Sequence, residues 1–360
     1  MSDPSPEEKP ARRPRYRGAN PRRFAEKYKE LQPGRYPDDV SKVIAGGKTP
    51  AGSHRAILVR EILEVLSPGP GEVAVDCTLG HGGHAKEILA AVQPGGRLIA
   101  IDVDPIEMPK AEARLRALSF PEASLVVRRR NFAGLAGLLA AEAPGGADVI
   151  LADLGLSSMQ IDDPARGFTY KDDGPLDMRM NPERGHRAAA LLRGINEESL
   201  ARLLDENGDE PRFAGVAAAI VRARERTPLS TTQALAAVVR SAYVRRPEGE
   251  AVDAIRRVFQ AIRIAVNDEF AALDALLRAL PGCLAPGGRV AVLTFHSGED
   301  RRVKSAFKEG WHAGIYDSIA NEVVRASEEE RRANPRSTAA KLRFAVRGLS
   351  NPGRSSSPSP

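Results

Sequence analysis

Ten residues, DCTLGHGGHA (Asp76 to Ala85), bring an acid, two histidines and three glycines together directly after an apolar run. Gly80, Gly82 and Ala85 match the G-x-G-x-x-A spacing of a nucleotide-binding turn, and Asp102 lies 20 residues beyond Gly82. Glycine has no Cβ, so backbone can approach a ligand closely there, while an acid at the next strand end can accept the hydroxyls of a ribose. These parts suit a nicotinamide dinucleotide and S-adenosylmethionine equally, and a tight turn without a ligand would use them too. A further acid, Asp153, opens DLGLSSMQ (Asp153 to Gln160) after another apolar run. A carboxylate at that edge suits transfer to an amine, where hydride transfer more usually calls for a histidine or lysine. Asp153 and Ser157 would serve equally well as caps of a following turn. His296, in TFHSGED, ends a later apolar run and can line the same edge or act as a hydrogen-bonded structural histidine.

The elements that would position these groups alternate from His54 to Asp153. HRAILVREILEVL and HAKEILAAV have apolar residues at helical spacing, whereas VAVDCTL, RLIAIDVDP, SLVVRRRNF and ADVILADLG read as buried strands. Such alternation predicts a doubly wound, Rossmann-like α/β sheet. It lapses from Gly155 to about Gly185, which is loop-like, and helical pieces follow to Val244. One long helix, AIRRVFQAIRIAVNDEFAALDALLRAL, is expected to stop at Pro281-Gly282, before strands in GGRVAVLTFHS and KLRFAVRG. The expected organisation is a basic arm over 1–52, an α/β domain over 53–160 and 250–348, a loop plus helical insertion over 161–249, and a tail over 349–360.

The formal net charge is +6, and Arg12, Arg13, Arg15, Arg17, Arg22 and Arg23 crowd into the Pro/Gly-rich start, around a short helix in RRFAEKYKEL. Such an arm either follows phosphates or simply solubilises the chain. No apolar run reaches the roughly 20 residues that cross a bilayer, and the start lacks the apolar core of a secretory signal. Two cysteines exclude a disulfide framework and a four-cysteine zinc site. A cytoplasmic protein that binds no metal is expected.

The loop KDDGPLDMRM (Lys171 to Met180) fits neither helix nor strand, and with it the chain resembles a known family. DLGLSSMQIDDPARGFTYKDDGPLDMRMNP, preceded by DCTLGHGGHAKEIL and AIDVDP and followed by PRFAGVAAAIVRAR, FQAIRIAVNDE, LAPGGRVAVLTFHSGEDR and NPRSTAAKLR, is similar to the MraW or RsmH family. These are small-subunit ribosomal RNA cytosine-N4 methyltransferases. The resemblance, spanning about His54 to Arg347, implies a class I methyltransferase fold with an inserted helical subdomain and S-adenosylmethionine as cofactor. It implies that Gly82, Gly83 and His84 lie under the methionine end, that Asp102 holds the ribose, that Phe132 lies by the adenine, and that Asp153 and Gln160 line the transfer side. Small-subunit rRNA, or the subunit itself, is the implied partner; monomer and homodimer stay open.

Several positions depart from the family's pattern. DAIRRV stands where a His-Pro-Ala-x-Arg-Thr run is usual and keeps Arg257; Gly298 replaces a leucine, and Thr338-Ala339 an Arg-Ser pair. A paralogue acting on another RNA, a non-catalytic assembly factor and a nicotinamide-dependent oxidoreductase are therefore the competing readings. A cytosine amine delocalises its lone pair, so its methylation needs aim and an acceptor for its protons. Asp153 is the candidate acceptor and His296 a second catalytic candidate. Phe168, Tyr170 and Phe295 are candidate surfaces for an unstacked base. Arg256, Gln260, Arg263 and Asn267 form a polar stripe on the long helix. Arg166, Arg179, Arg257, Arg263, Arg336 and Lys341 are the candidates for RNA contact.

Overall fold

A computed structural model describes residues 56–349; the basic arm, with its expected helix, and nearly all of the tail lie outside them. After a first helix, α1 (Val59–Leu66), strands and helices alternate as β1 (Val73–Asp76), α2 (Gly83–Ala91), β2 (Arg97–Asp102), α3 (Met108–Arg116), β3 (Leu125–Arg129), α4 (Leu135–Glu142) and β4 (Ala147–Asp153). Six helices then intervene: α5 (Ser158–Asp162), α6 (Ala188–Gly194), α7 (Glu197–Gly208), α8 (Phe213–Arg226), α9 (Thr232–Ser241) and α10 (Glu248–Asn267). The chain returns through α11 (Glu269–Cys283), β5 (Leu284–Thr294), α12 (Ser297–His312), β6 (Tyr316–Ile319), α13 (Glu328–Ala333) and β7 (Lys341–Arg347).

The seven strands are ordered β3-β2-β1-β4-β5-β7-β6. β3, β2, β1, β4 and β5 pair in parallel, and β7 runs antiparallel to both β5 and β6. This order, with its antiparallel hairpin at one edge, is the topology of the class I methyltransferase fold. The strands are nearly continuous apolar runs because helices cover both faces. Val75, Ile150, Val290 and Val292 point into a core with α4, α11 and α12. Their neighbours Ala74, Val149, Leu151, Ala291 and Leu293 point into a core with α1, α2 and α3. Order reverses at β1, which lies between β2 and β4, and a doubly wound sheet opens its ligand crevice at that point, beyond the carboxyl ends of the strands. β1, β2 and β4 end there on Asp76, Asp102 and Asp153.

A third apolar core is helical. Leu192, Leu200, Leu204, Val216, Ile220, Leu235 and Val239 pack on Ile255, Val258, Phe259 and Ile262 of α10. The apolar face of that helix therefore belongs to the helical core, although the sequence places residues from 250 onward with the sheet. The expected single long helix is two helices. Asp268 adopts a left-handed conformation, φ 50°, ending α10, and Asp and Asn are the non-glycine residues that best tolerate it. α11 then runs through Pro281 to Cys283, two residues past the expected stop. β6 is an additional strand, only four residues long with two of them exposed, so it leaves no apolar alternation to read. Among the described residues no helix is long and apolar enough to cross a membrane.

Candidate active site at the carboxyl edge of the sheet

Asp76 is almost fully buried, with its Oδ1 accepting from the Thr78 N–H at 2.9 Å. Burial, reinforced by the nearby Asp153 and Asp102 charges against the pull of the Thr78 N–H and His84, pushes its pKa up to about 6. The Thr78 hydroxyl oxygen in turn accepts the Asp153 N–H at 2.7 Å, coupling the ends of β1 and β4. His84, in the first turn of α2, brings its Nε2 to 3.4 Å from Asp153 Oδ2, an ion-pair contact rather than a directed hydrogen bond. Burial works against a charge on this imidazole, yet Asp153 first, then Asp76 and Glu330, prevail and raise its pKa. The other oxygen, Asp153 Oδ1, is buried without a hydrogen-bond donor. A buried carboxylate oxygen left without a donor costs about 1–3 kcal/mol or more, so Oδ1 keeps the capacity to accept an N–H.

The glycine turn is held by its own chain. Gly80 donates its N–H to Asp102 Oδ2 at 2.7 Å and Asp104 donates to Asp102 Oδ1 at 2.9 Å. Burial dominates there and raises the Asp102 pKa. Gly82 sits at φ 85°, a conformation that side chains resist, and a Cβ on Gly83 would lie 2.8 Å from that of Ala56. Phe132 lies half-buried in the short turn after β3 and packs on the sheet core.

Asp104, which sequence reasoning did not single out, ties this side to the long loop. Its fully buried carboxylate accepts Gln160 Nε2 at 2.8 Å, Arg166 Nη1 at 2.9 Å and the Ile106 N–H at 2.8 Å. The D-x-D spacing of AIDVDP was its available signal. Gln160 closes a capping box with Ser157 through its Oε1, so both ends of the amide are engaged. Arg166 also donates to the Met180 carbonyl at 2.8 Å.

The loop is fastened from its other side by Asn267, on the polar stripe of α10. Its Nδ2 donates to the Met178 carbonyl at 2.8 Å and its Oδ1 accepts the Met180 N–H at 2.7 Å. Met178, between these contacts, is held at φ 61° with its side chain fully buried. A Cβ on Gly174 would fall 2.0 Å from the Pro164 carbonyl oxygen, so only glycine fits the turn. Arg179 forks on to Asp177, at 2.7 and 2.9 Å. This ion pair lies within the loop itself.

Phe295 follows β5 and lies against Gly155, where a Cβ would be 3.6 Å from its ring. His296 caps α12, with Nδ1 taking the Glu299 N–H at 3.4 Å and Nε2 lying 3.1 Å from Glu299 Oε1. Burial opposes ionisation of Glu299, but His296 and Arg263 hold its pKa below the ordinary value. Nδ1 is thus engaged in the cap, while Nε2 faces Glu299 without a directed hydrogen bond.

All six basic residues expected to face RNA sit against acids. Arg166 meets Asp104 at 2.9 Å, Arg179 meets Asp177 at 2.7 Å, and Arg257 meets the buried Glu210 at 2.8 Å. Arg263 meets Glu269 at 2.8 Å, Arg336 meets Asp162 at 2.9 Å, and Lys341 meets Asp300 at 3.0 Å. Arg166, Arg179 and Arg263 are the most deeply buried of the six, and a sequence displays charge without displaying its partner. Gly298 also has an internal explanation: a Cβ there would lie 2.6 Å from Phe270, whose ring carries the Arg302 guanidinium at 3.7 Å.

The model of the MraW methylase family matches residues 51–347. The chain is 48% identical over 341 residues to ribosomal RNA small subunit methyltransferase H 1 of Lachnoclostridium phytofermentans, covering 93% of each. It is 47% identical over 346 residues to ribosomal RNA small subunit methyltransferase H 2 of Alkaliphilus metalliredigens, covering 95% of this chain and 99% of the relative. With the sheet order, the three strand-end acids and a match of this length, the chain belongs to the MraW methylase family.

Proposed function

We propose that this protein is a cytoplasmic, S-adenosylmethionine-dependent methyltransferase that modifies the exocyclic N4 amine of a cytosine in small-subunit rRNA. The observation that carries the reading is Asp153 Oδ1, buried and without a donor at the end of β4. An N–H of the target amine satisfies it.

The residues at the sheet edge fit that cofactor. Gly82, Gly83 and His84 would cradle its methionine end, Asp102 would accept its ribose hydroxyls, Phe132 would flank its adenine, and Gln160 would close the transfer side. When bound, S-adenosylmethionine supplies a methyl group on a positively charged sulfur. Asp153 then has two tasks. It orients the amine by accepting an N–H, and it offsets the positive charge that develops on nitrogen as the new bond forms. His84 holds Asp153 Oδ2 at 3.4 Å, which leaves Oδ1 as the oxygen free for the amine. The Thr78 hydroxyl fixes the backbone of Asp153 and so the height of the carboxylate above the sheet. Phe295, beside Gly155 in the same wall, offers an aromatic surface to an unstacked base.

Replacing Asp153 by Asn keeps the shape and removes the charge. Single-turnover methyl transfer to purified small subunits is expected to fall by at least about a hundredfold, a loss of ~3 kcal/mol of transition-state stabilisation. Calorimetric titration with S-adenosylmethionine should show binding retained. Near-normal transfer by the variant would overturn the role of Asp153.

A further inference from the structure

The outer face of α12 takes no part in the crevice at the sheet edge. Val303 and Phe307, both buried, turn inward with Gly310, and Phe307 meets the Tyr316 ring at 5.7 Å between centroids. A Cβ on Gly310 would lie 2.5 Å from that tyrosine ring, so the packing fixes how the helix is rolled. Helical spacing then sends Arg301, Lys304, Lys308 and Trp311 outward together, and all four are exposed. Lys304 and Lys308 make no hydrogen bond or ion pair among the described residues. Arg301 lies 3.6 Å from Asp209, an exposed contact that solvent screens. Against these cations the exposed face of α12 sets one acid, Glu309, which accepts the Ser305 hydroxyl at 2.7 Å. Trp311, the only tryptophan of the chain, is 47% exposed and is flanked by His312, ring centroids 4.9 Å apart.

The composition of this face selects its occupant. Beside Trp311 it exposes no apolar side chain. It therefore offers neither the apolar centre of a protein interface nor the apolar depth that seats a helix on a membrane. A single nucleic-acid strand brings what the face can use, phosphates for the cations and a base to lie on the indole. From Arg301 to Trp311 the helix rises ~15 Å, the span of a few nucleotides. The stripe also begins in the right place. Ser297 opens α12 two residues after Phe295, the aromatic wall beside Gly155, and Val303 and Phe307 carry the helix back over the sheet core. A strand held along α12 thus leads to the rim of the crevice where the target base must enter.

We propose that this face of α12 holds the RNA strand flanking the target base, with Lys304 and Lys308 on its phosphates and Trp311 stacked on one of its bases. This rests on the reading of the protein as an RNA methyltransferase and adds to it a docking surface outside the cofactor crevice. Trp311 serves as its own probe, since all tryptophan fluorescence of the chain comes from that one indole. Small-subunit rRNA is titrated into the full chain across a potassium chloride series, with filter binding read on the same samples. Binding should quench Trp311, and Trp311→Ala should weaken binding at least about fivefold. Each phosphate contact to a single strand contributes about 0.7 to the slope of log affinity on log salt. The pair Lys304→Gln and Lys308→Gln should therefore lower the slope by ~1.4, leaving affinity for S-adenosylmethionine unchanged. The control pair Arg60→Gln and Arg116→Gln, exposed on α1 and α3 over the opposite face of the sheet, should leave the slope nearly intact. RNA retained on the filter with no change at Trp311, an unchanged slope in the lysine pair, an equal fall in the control pair, or lost cofactor affinity overturns the proposal. Binding is read without turnover, so a wild-type chain that binds and quenches but transfers no methyl group counts against the function alone.

Discussion

Asn267 lies outside the strand-end cluster, yet the structure makes it the residue on which the shape of the long loop depends. Two of its hydrogen bonds close on that loop, at 2.8 Å to the Met178 carbonyl and at 2.7 Å from the Met180 N–H. At about 1 kcal/mol each, net of water, Asn267→Ala removes ~2 kcal/mol from the closed loop. Met178 sits at φ 61°, a conformation costing about 1–2 kcal/mol, so the loop has strain to release once the clamp is gone. The free energy of local opening should fall by ~2 kcal/mol and backbone exchange should quicken by roughly 30-fold. The informative amide is Met178, because its N–H donates to the Arg166 carbonyl at 3.1 Å, a bond that the substitution leaves in place. Hydrogen exchange read by mass spectrometry over the loop peptides measures it directly. A change below about threefold at Met178 would refute the clamp, even if the Met180 amide, whose acceptor is deleted, exchanges faster.

Two further outcomes follow from the same contacts. The folded pKa of His84 is raised, mainly through Asp153 once burial is overcome. The pair therefore stabilises fully below the ordinary histidine pKa of about 6.5, and its contribution is lost as pH rises through the folded value. Asp153→Asn should lower the His84 midpoint in an NMR titration; an unchanged midpoint would show that Asp153 is not its partner. Gly298→Leu should displace the Phe270 ring, which a Cβ would approach to 2.6 Å. A double-mutant cycle with Phe270→Ala should return a coupling of about 1 kcal/mol between the two positions, and additivity within ~0.3 kcal/mol would contradict the packing exchange.

The sheet is legible in the sequence because it is buried on both faces. Val73–Val75, Leu98–Ile101 and Val149–Ala152 are apolar throughout, and each run is followed by an acid, Asp76, Asp102 or Asp153. The glycine turn is equally legible, since φ 85° at Gly82 and the close approach of Ala56 to Gly83 leave little choice of residue. What the sequence conceals is pairing. Arg257 reads as a substrate-side cation, and only the fold brings to it Glu210, 47 residues away, and Tyr243. Arg166 and Asp104 are separated by 62 positions and meet through the crossover of the sheet. His296 reads as a group at a strand end, but Glu299 three residues later turns it into a cap. The break at Asp268 is hidden for another reason: the apolar pattern runs through it, and a single left-handed residue re-aims the chain.

The central claim is that this chain places one methyl group on the N4 amine of one cytosine in small-subunit rRNA. Nucleoside mass spectrometry of small-subunit rRNA tests it most directly, comparing cells that lack the gene with the same cells carrying it again or carrying its Asp153→Asn form. The account predicts that one N4-methylcytosine disappears, returns with the intact gene, and stays absent with the variant. An unchanged modification map, or loss of a methyl group from any other atom, would contradict it.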